Sequence, residues 1–180
     1  MTESNQDDAR ANETAQPGFS GPMNPFGGGP GVRAALLDAV RAHFDGLSVW
    51  ITDTPPRAGD FSMVVLGDNV QGPGLEAAPQ DCGDSNPNSV VFVGIWAGDG
   101  LSIDFHAVVI AHGIGHSVGL DHVDATNAIM SGNLAGDPRL AVFVDECVSV
   151  PMVGCVSPPG PCAINEQSSW AELLDLYGPI

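Results

Sequence analysis

The sequence predicts an α+β domain in which helices pack against one sheet. Three observations predict this class. An amphipathic helical pattern begins at Gly31, apolar β-rich runs follow between residues 47 and 97, and two further helical patterns span about 101–119 and 166–178. The length of 180 residues and the hydrophobic fraction of 43% fit a single domain with a sizeable core.

Residues 1–30 are predicted to form a disordered tail before this domain. The first half of the tail is polar and acidic, and the second half is rich in Pro and Gly. Such a composition buries too little apolar surface to offset the entropy of ordering the chain. The folded domain is therefore expected to span residues 31–180.

The elements of the domain follow from periodicity and turn chemistry. The first helix is predicted because its apolar residues recur at nearly 3.6-residue spacing: Val32, Ala35, Leu36, Ala39, Val40 and Phe44. It is expected to end near Gly46. Strands are expected at about 47–52, 61–66 and 89–97, because these runs favour strands and lie between turn-forming residues. Residues 67–88 are rich in Gly, Pro, Asn and Asp and predict a long loop.

The second half of the chain alternates helices with irregular structure. Ser102 or Asp104 is expected to cap the second helix. Residues 132–165 contain three cysteines among many Gly and Pro residues, which predicts an irregular segment stapled by disulfides. A short amphipathic helix follows and is stopped by Gly178.

The charge of the chain excludes two classes of partner. The formal net charge is −17, and all five cationic side chains are Arg. No basic stripe exists to bind nucleic acid or an anionic membrane surface. No apolar run approaches the roughly 20 residues that a membrane span needs.

Four cysteines predict two disulfides and an oxidising compartment: Cys82, Cys147, Cys155 and Cys162. Four cysteines allow three pairings, and their spacing does not choose among them. The first ten residues are polar and lack the apolar region of a signal peptide. We expect a secreted protein, extracellular or periplasmic, whose signal lies upstream; the alternative is an internal protein with reduced thiols.

Three histidines lie at the end of the second helix and just beyond it. His112 and His116 are four residues apart, so a helix places both imidazoles on one face, where they can bind one metal ion. Gly119 allows a sharp turn that brings His122 toward the same ion. Three neutral nitrogen ligands with an open fourth position are typical of catalytic zinc. The alternative is a His-rich helix end without metal. His106 lies off this face and is expected to pack or to support a ligand.

This pattern resembles the signature of the metzincin zinc endopeptidases, H-E-x-x-H-x-x-G-x-x-H followed by a Met-turn. His112, His116, Gly119 and His122 match it. Met130, eight residues after the third histidine, matches the Met-turn of the matrixin branch, the matrix metalloproteinase type. The resemblance implies one zinc ion bound by the three histidines, with Met130 beneath the site as a floor.

The resemblance also implies the fold and the ligand. It implies a twisted, mostly parallel sheet with an N-terminal helix, a zinc-binding helix, the Met-turn and a C-terminal helix over residues 31–178. A peptide or protein substrate would add as a strand to a sheet edge, and residues 89–97 are the candidate edge.

One residue departs from the family pattern. The Glu that directly follows the first histidine in the family is Gly113 here. That Glu is the general base that takes a proton from the zinc-activated water, and losing such a base costs about 10²–10⁴ in rate. We therefore expect zinc binding without efficient proteolysis. Three nearby acids could substitute only if the fold brought them to the same place: Asp121, Asp124 and Glu146.

Matrixin-like proteins usually add a structural zinc ion and calcium ions before the zinc helix. No histidine lies between His43 and His106, so a second histidine-bound zinc is not expected. Residues 81–86 offer oxygen ligands for calcium without the spacing of a known calcium loop, and a solvated turn is favoured. Cys82 is expected to pair with the region 147–162.

Three functions follow from these observations. The first is a zinc metalloendopeptidase-type domain, impaired because Gly113 replaces the general base. The second is an inactive pseudoprotease that binds a peptide or protein without cutting it. The third is a disulfide-stapled structural protein whose histidines bind no metal.

Overall fold

The computed structural model describes residues 7–14, 24–68, 75–77, 81–82, 86–134, 136–152, 154–155 and 161–180. Within them lie three helices: α1 (Pro30–His43), α2 (Ile103–Ser117) and α3 (Ser169–Tyr177). The described strands are β1 (Asn24–Pro25), β2 (Met63–Asp68), β3 (Leu75–Ala77), β4 (Val90–Gly94), β5 (Val148–Ser149) and β6 (Glu166–Gln167). A single 3₁₀ turn spans Pro138–Leu140.

The main sheet has the strand order β1-β2-β4-β3. Its longest pairing, β2 with β4, is parallel and aligns Met63 with Val90. The short strands β1 and β3 pair antiparallel at the two sides. Strands β5 and β6 form a separate antiparallel pair. Helices and a sheet with a parallel centre confirm the predicted α+β class.

The core lies between the sheet and the first two helices. Leu36 and Val40 of α1 are buried, as are Val91 and Val93 of β4. Helix α2 is buried continuously over residues 106–113, so it is the central element of the fold. Within the described residues, no helix combines the length and apolar character needed to cross a bilayer.

The predicted strand at 47–52 is not found. Leu47 makes only one isolated bridge, with Pro179, and the N–H of Ser48 donates to the carbonyl of Gly178. The long-range backbone partners of this run therefore come from the end of the chain rather than from the sheet. Trp50 is 76% exposed, so its side chain does not join the core.

The prediction that residues 89–97 form a sheet edge is wrong. The strand β4 lies between β2 and β3 and is hydrogen-bonded on both sides. The reason is that residues 75–77, within the predicted long loop, form the additional strand β3, which pairs with residues 92–94.

Part of the predicted disordered tail is ordered against the sheet. Residues 1–6 and 15–23 lie outside the described residues. Residues 7–14 form a turn, in which Asp8 pairs with Glu13, and the N–H of Ala9 donates to the carbonyl of Asn88. Ala9 is buried, so this turn has a fixed place beside the start of β4.

Both disulfides involve the irregular segment at 132–165, and one of them links it to an earlier part of the chain. Cys82 bonds to Cys155, and Cys147 bonds to Cys162. The expectation that Cys82 pairs with the 147–162 region is confirmed. The first disulfide spans 73 residues and ties the loop before β4 to the segment that leads to α3.

Candidate metal centre

Helix α2 begins and ends as the sequence predicts. The Ser102 hydroxyl accepts a hydrogen bond from the N–H of Phe105, which identifies Ser102 as the N-cap. Gly119 has φ 98°, and the N–H of Leu120 donates to the carbonyl of Gly115. This bond closes a Schellman-type end, in which a glycine takes the left-handed conformation. The chain therefore turns sharply after the second histidine.

The turn brings the three predicted histidines together. The Nε2 atoms of His112 and His116 are 3.0 Å apart, and each lies 3.1 Å from Nε2 of His122. Among the described residues, these three form the one group of at least three potential metal ligands with ligand atoms within 4.8 Å of one another. His112 is buried, whereas His116 and His122 are half-buried, so the cluster reaches the surface.

The other ring nitrogens set the tautomers of two of the histidines. Nδ1 of His112 lies 2.5 Å from the carbonyl of Ile129, and Nδ1 of His116 lies 2.7 Å from the carbonyl of Leu120. A carbonyl oxygen only accepts, so each Nδ1 carries the proton. In the neutral rings, Nε2 then holds a lone pair directed at the cluster.

This arrangement fits a zinc ion. Converging lone pairs repel one another and are stabilised by a cation between them. Two nitrogens bound tetrahedrally at about 2.0–2.1 Å from one zinc ion are about 3.3 Å apart, close to the observed 3.0–3.1 Å. Imidazole is a preferred ligand of zinc. His112, His116 and His122 would hold the ion through Nε2.

The Met-turn residue lies directly under the helix. Met130 is fully buried, and its neighbour Ile129 supplies the carbonyl that fixes His112. A Cβ atom at Gly115 would overlap Sδ of Met130. Gly115 therefore gives Met130 room against the helix, which explains a residue that otherwise lowers helix stability by about 1 kcal/mol.

The chain segments that carry His122 and the Met-turn also pair with each other. The N–H of Val123 donates to the carbonyl of Met130, and Val123 bridges Ser131. Gly132 packs so closely on the ring of His122 that a Cβ there would lie 3.3 Å from Nδ1. The third ligand is thus held by main-chain contacts on the Met-turn side.

The candidate substitute acids do not join the histidine cluster. The Asp121 carboxylate is buried and accepts hydrogen bonds from the N–H groups of Gly154 and Cys155. Asp124 and Glu146 are exposed. Gly113, at the position of the general base, is buried within α2 and has no side chain.

His106 belongs to a separate contact at the start of α2. Its Nε2 lies 2.8 Å and 3.0 Å from the two carboxylate oxygens of Asp99, and its ring packs edge-on against Phe26. Burial acts to raise the pKa of Asp99, but hydrogen bonds from the N–H groups of Leu101 and Trp96 and from the His106 ring outweigh it, so the pKa is lowered. His106 therefore has the packing role that was predicted as one of two possibilities.

Calcium binding at residues 81–86, which the sequence left possible but did not favour, has no support among the described residues. Asp81 is buried, and its carboxylate accepts a hydrogen bond of 2.6 Å from the N–H of Asn86. The turn is therefore not solvated at Asp81, unlike the prediction. Residues 83–85 lie outside the described residues.

The sequence reasoning missed several groups that hold the centre. The carbonyls of Ile129 and Leu120 leave no side-chain signal in a sequence. Gln167 also went unnoticed, although its amide bonds to the backbone of Asp121. The burial of Gln167 is seen only in the structure, and a Gln two residues before a helix gives no signal of this role in the sequence.

A helix with two histidines, a glycine turn, a third histidine and a methionine below them together define a zinc metallopeptidase-type domain. The family description "Matrixin" matches residues 23–146, which is more than half of the chain. The chain therefore belongs to the matrixin family. Comparisons with curated proteins and with solved structures find no match.

Proposed function

We propose that this protein is a zinc-binding matrixin domain in which peptide-bond hydrolysis is impaired because Gly113 replaces the general base. The convergence of three Nε2 atoms within 3.1 Å is the observation that carries the proposal. Bound zinc would activate a water molecule by lowering its pKa toward about 7. His112, His116 and His122 provide neutral ligands, whereas Gly113 has no group that can accept a proton.

The second candidate is a pseudoprotease that binds peptides without cutting them. An intact ligand set and Met-turn beside a missing base favour it. A peptide would extend the sheet on the side of β3, which pairs with β4 on its other side. Two disulfides support a further part of the proposal, that the protein works in an oxidising compartment, extracellular or periplasmic.

Restoring the base tests the proposal. The parent, Gly113→Glu and Gly113→Gln are loaded with zinc and incubated with a mixture of denatured proteins, and new peptide termini are counted by mass spectrometry. Gly113→Gln is the matched control because Gln has the size and helix propensity of Glu but no carboxylate. We expect Gly113→Glu to cut about 10²–10⁴ times faster than the other two, and a chelator to abolish that activity.

The remaining outcomes separate the candidates. Cleavage by the parent at the rate of Gly113→Glu would overturn the argument about the base. If all three proteins are inert while the immobilised parent retains peptides from the mixture, the pseudoprotease is favoured. A parent that binds no zinc would remove both candidates.

A further inference from the structure

The segment Leu120–His122, which carries the third histidine, is held by a residue far along the chain. The N–H of Asp121 donates to Oε1 of Gln167 at 2.9 Å, and the carbonyl of Asp121 accepts from Nε2 of Gln167 at 3.1 Å. Both residues are buried, with 3% and 1% exposure respectively. One side-chain amide therefore satisfies both main-chain groups of the residue directly before His122.

The side chain of Asp121 is bound from a second direction. Its Oδ1 accepts from the N–H of Gly154 at 2.9 Å, and its Oδ2 accepts from the N–H of Cys155 at 3.2 Å. A buried carboxylate with N–H donors on both oxygens is strongly oriented, since losing it leaves buried donors unpaired. We call Asp121, Gly154, Cys155 and Gln167 the Asp121 clamp.

A disulfide connects the clamp to the second histidine. Cys155 is bonded to Cys82, and the N–H of the adjacent Asp81 donates to the carbonyl of His116 at 3.3 Å. The covalent bond thus joins two segments, one contacting the residue before His122 and the other contacting His116 itself.

We propose that the Asp121 clamp positions His122, so that the zinc affinity of the centre depends on Gln167 and on the Cys82–Cys155 disulfide. The inference rests on the zinc binding proposed above. The family match ends at residue 146, so three of the four clamp residues lie beyond it. The segment after the matrixin match is then part of the metal centre rather than an appendage.

The size of the effect follows from other metal sites. Groups that orient a ligand without touching the metal change affinity by about 10–100-fold. Gln167→Met keeps the volume of the side chain but removes both hydrogen bonds to Asp121. Asp121→Asn keeps one acceptor oxygen for the two N–H groups, so its loss should be smaller than that of Gln167→Met.

The test measures the zinc Kd by competition with a chromophoric chelator in the full chain. The variants are Gln167→Met, Asp121→Asn and the double variant Cys82→Ser/Cys155→Ser. The matched control is Cys147→Ser/Cys162→Ser, which removes the other disulfide and none of the hydrogen bonds to Asp121. Because Gly154 and Cys155 lie in the loop that this disulfide closes, the control separates the ordering of that loop from the bonds of the clamp. Circular dichroism verifies that each variant is folded at the temperature used, and the visible spectrum of the cobalt-loaded protein reports the ligand geometry.

We expect Gln167→Met and Cys82→Ser/Cys155→Ser to bind zinc about 10–100-fold more weakly and to show an altered cobalt spectrum. The control should keep the parent Kd and spectrum. Should the double variant fail to fold, Gln167→Met and Asp121→Asn decide the matter. Variants that bind as tightly as the parent, or a control that loses as much affinity, would overturn the clamp alone. A parent that binds no zinc would overturn the proposed function and the clamp together.

Discussion

Both ends of α2 carry histidine residues. The groups that contact their rings differ, so the histidines have different roles. At the start of the helix, Nε2 of His106 faces both carboxylate oxygens of Asp99. At its end, Nδ1 of His112 and of His116 face main-chain carbonyls. Asp99 occupies the Nε2 side of His106, whereas a carbonyl that accepts from Nδ1–H fixes the ring orientation and leaves Nε2 directed at the other histidines.

The difference shows that the partner, rather than the helix, decides what a histidine does. The histidines lie on one helix, and His106 and His112 are both buried, so neither the element nor burial distinguishes them. Of the histidines on α2, only the two with carbonyl partners direct Nε2 toward His122, so only these two join it in the candidate metal centre.

Replacing one histidine at each end of α2 with alanine tests this comparison and has the largest expected effect. His116→Ala should weaken zinc binding by more than about 100-fold, since even groups that only orient a ligand are worth about 10–100-fold. His106→Ala should leave the zinc Kd close to that of the parent. It should lower the free energy of unfolding by about 1.5–3 kcal/mol, because the charged Asp99 loses a hydrogen bond.

A chelator competition titration measures the first effect, and urea unfolding of the metal-free proteins measures the second. The comparison fails if both variants lose zinc equally, because His106 would then contribute to the metal centre.

Substitution of Gly115, at the metal-binding end of α2, is expected to have the next largest effect, on the free energy of unfolding. Gly115→Ala places a methyl group against Sδ of Met130, and overpacking of this kind costs about 1–3 kcal/mol. The better helix propensity of Ala returns about 1 kcal/mol, so we expect a net destabilisation of up to about 2 kcal/mol.

Gly31→Ala is the matched control, since Gly31 lies in α1 and no atom is within 4 Å of a Cβ there. We expect it to be neutral or stabilising by up to about 1 kcal/mol. Urea unfolding of both variants provides the measurement. Equal stability of the two would show that Met130 moves aside freely and that the close contact has no structural role.

The part of the centre that the sequence predicted correctly depends on local geometry. The i, i+4 spacing of His112 and His116 and the turn at Gly119 follow from helix and turn rules, and the role of Met130 follows from the resemblance to the metzincin signature. The same rules placed α1, α2 and α3 close to their observed ends.

The features that sequence reasoning missed depend on distant contacts. The short strand β3 exists because its backbone meets β4, although it lies in a stretch, 67–88, whose composition is typical of a loop. The run at 47–52 has strand propensity, yet its long-range backbone partners are at the chain end. The bond from Gln167 to Asp121 spans 46 residues. Pattern rules describe neighbours along the chain, so they contain no information about these pairings.

Two carboxyl groups with opposite pKa shifts extend the comparison, and they give the smallest expected effect. Hydrogen bonds lower the pKa of Asp99, whereas burial, with the nearby charge of Asp121, raises the pKa of Glu172 in α3 to about 7. Between pH 4.5, the ordinary pKa of a Glu side chain, and about pH 7, the folded protein keeps a proton on Glu172 that the unfolded chain loses. The free energy of unfolding therefore falls as pH rises through this window.

Glu172→Gln removes this titration, so it should match the parent near the lower end of the window and be more stable than the parent above it. Thermal unfolding of the metal-free proteins across the window and above it measures the difference. Asp175→Asn, an exposed change on the same helix, is the control and should show no such trend. A constant difference between Glu172→Gln and the parent at every pH would mean that Glu172 is not held neutral by its surroundings. Burial would then not explain the raised pKa of Glu172, and the contrast with the lowered pKa of Asp99 would be lost.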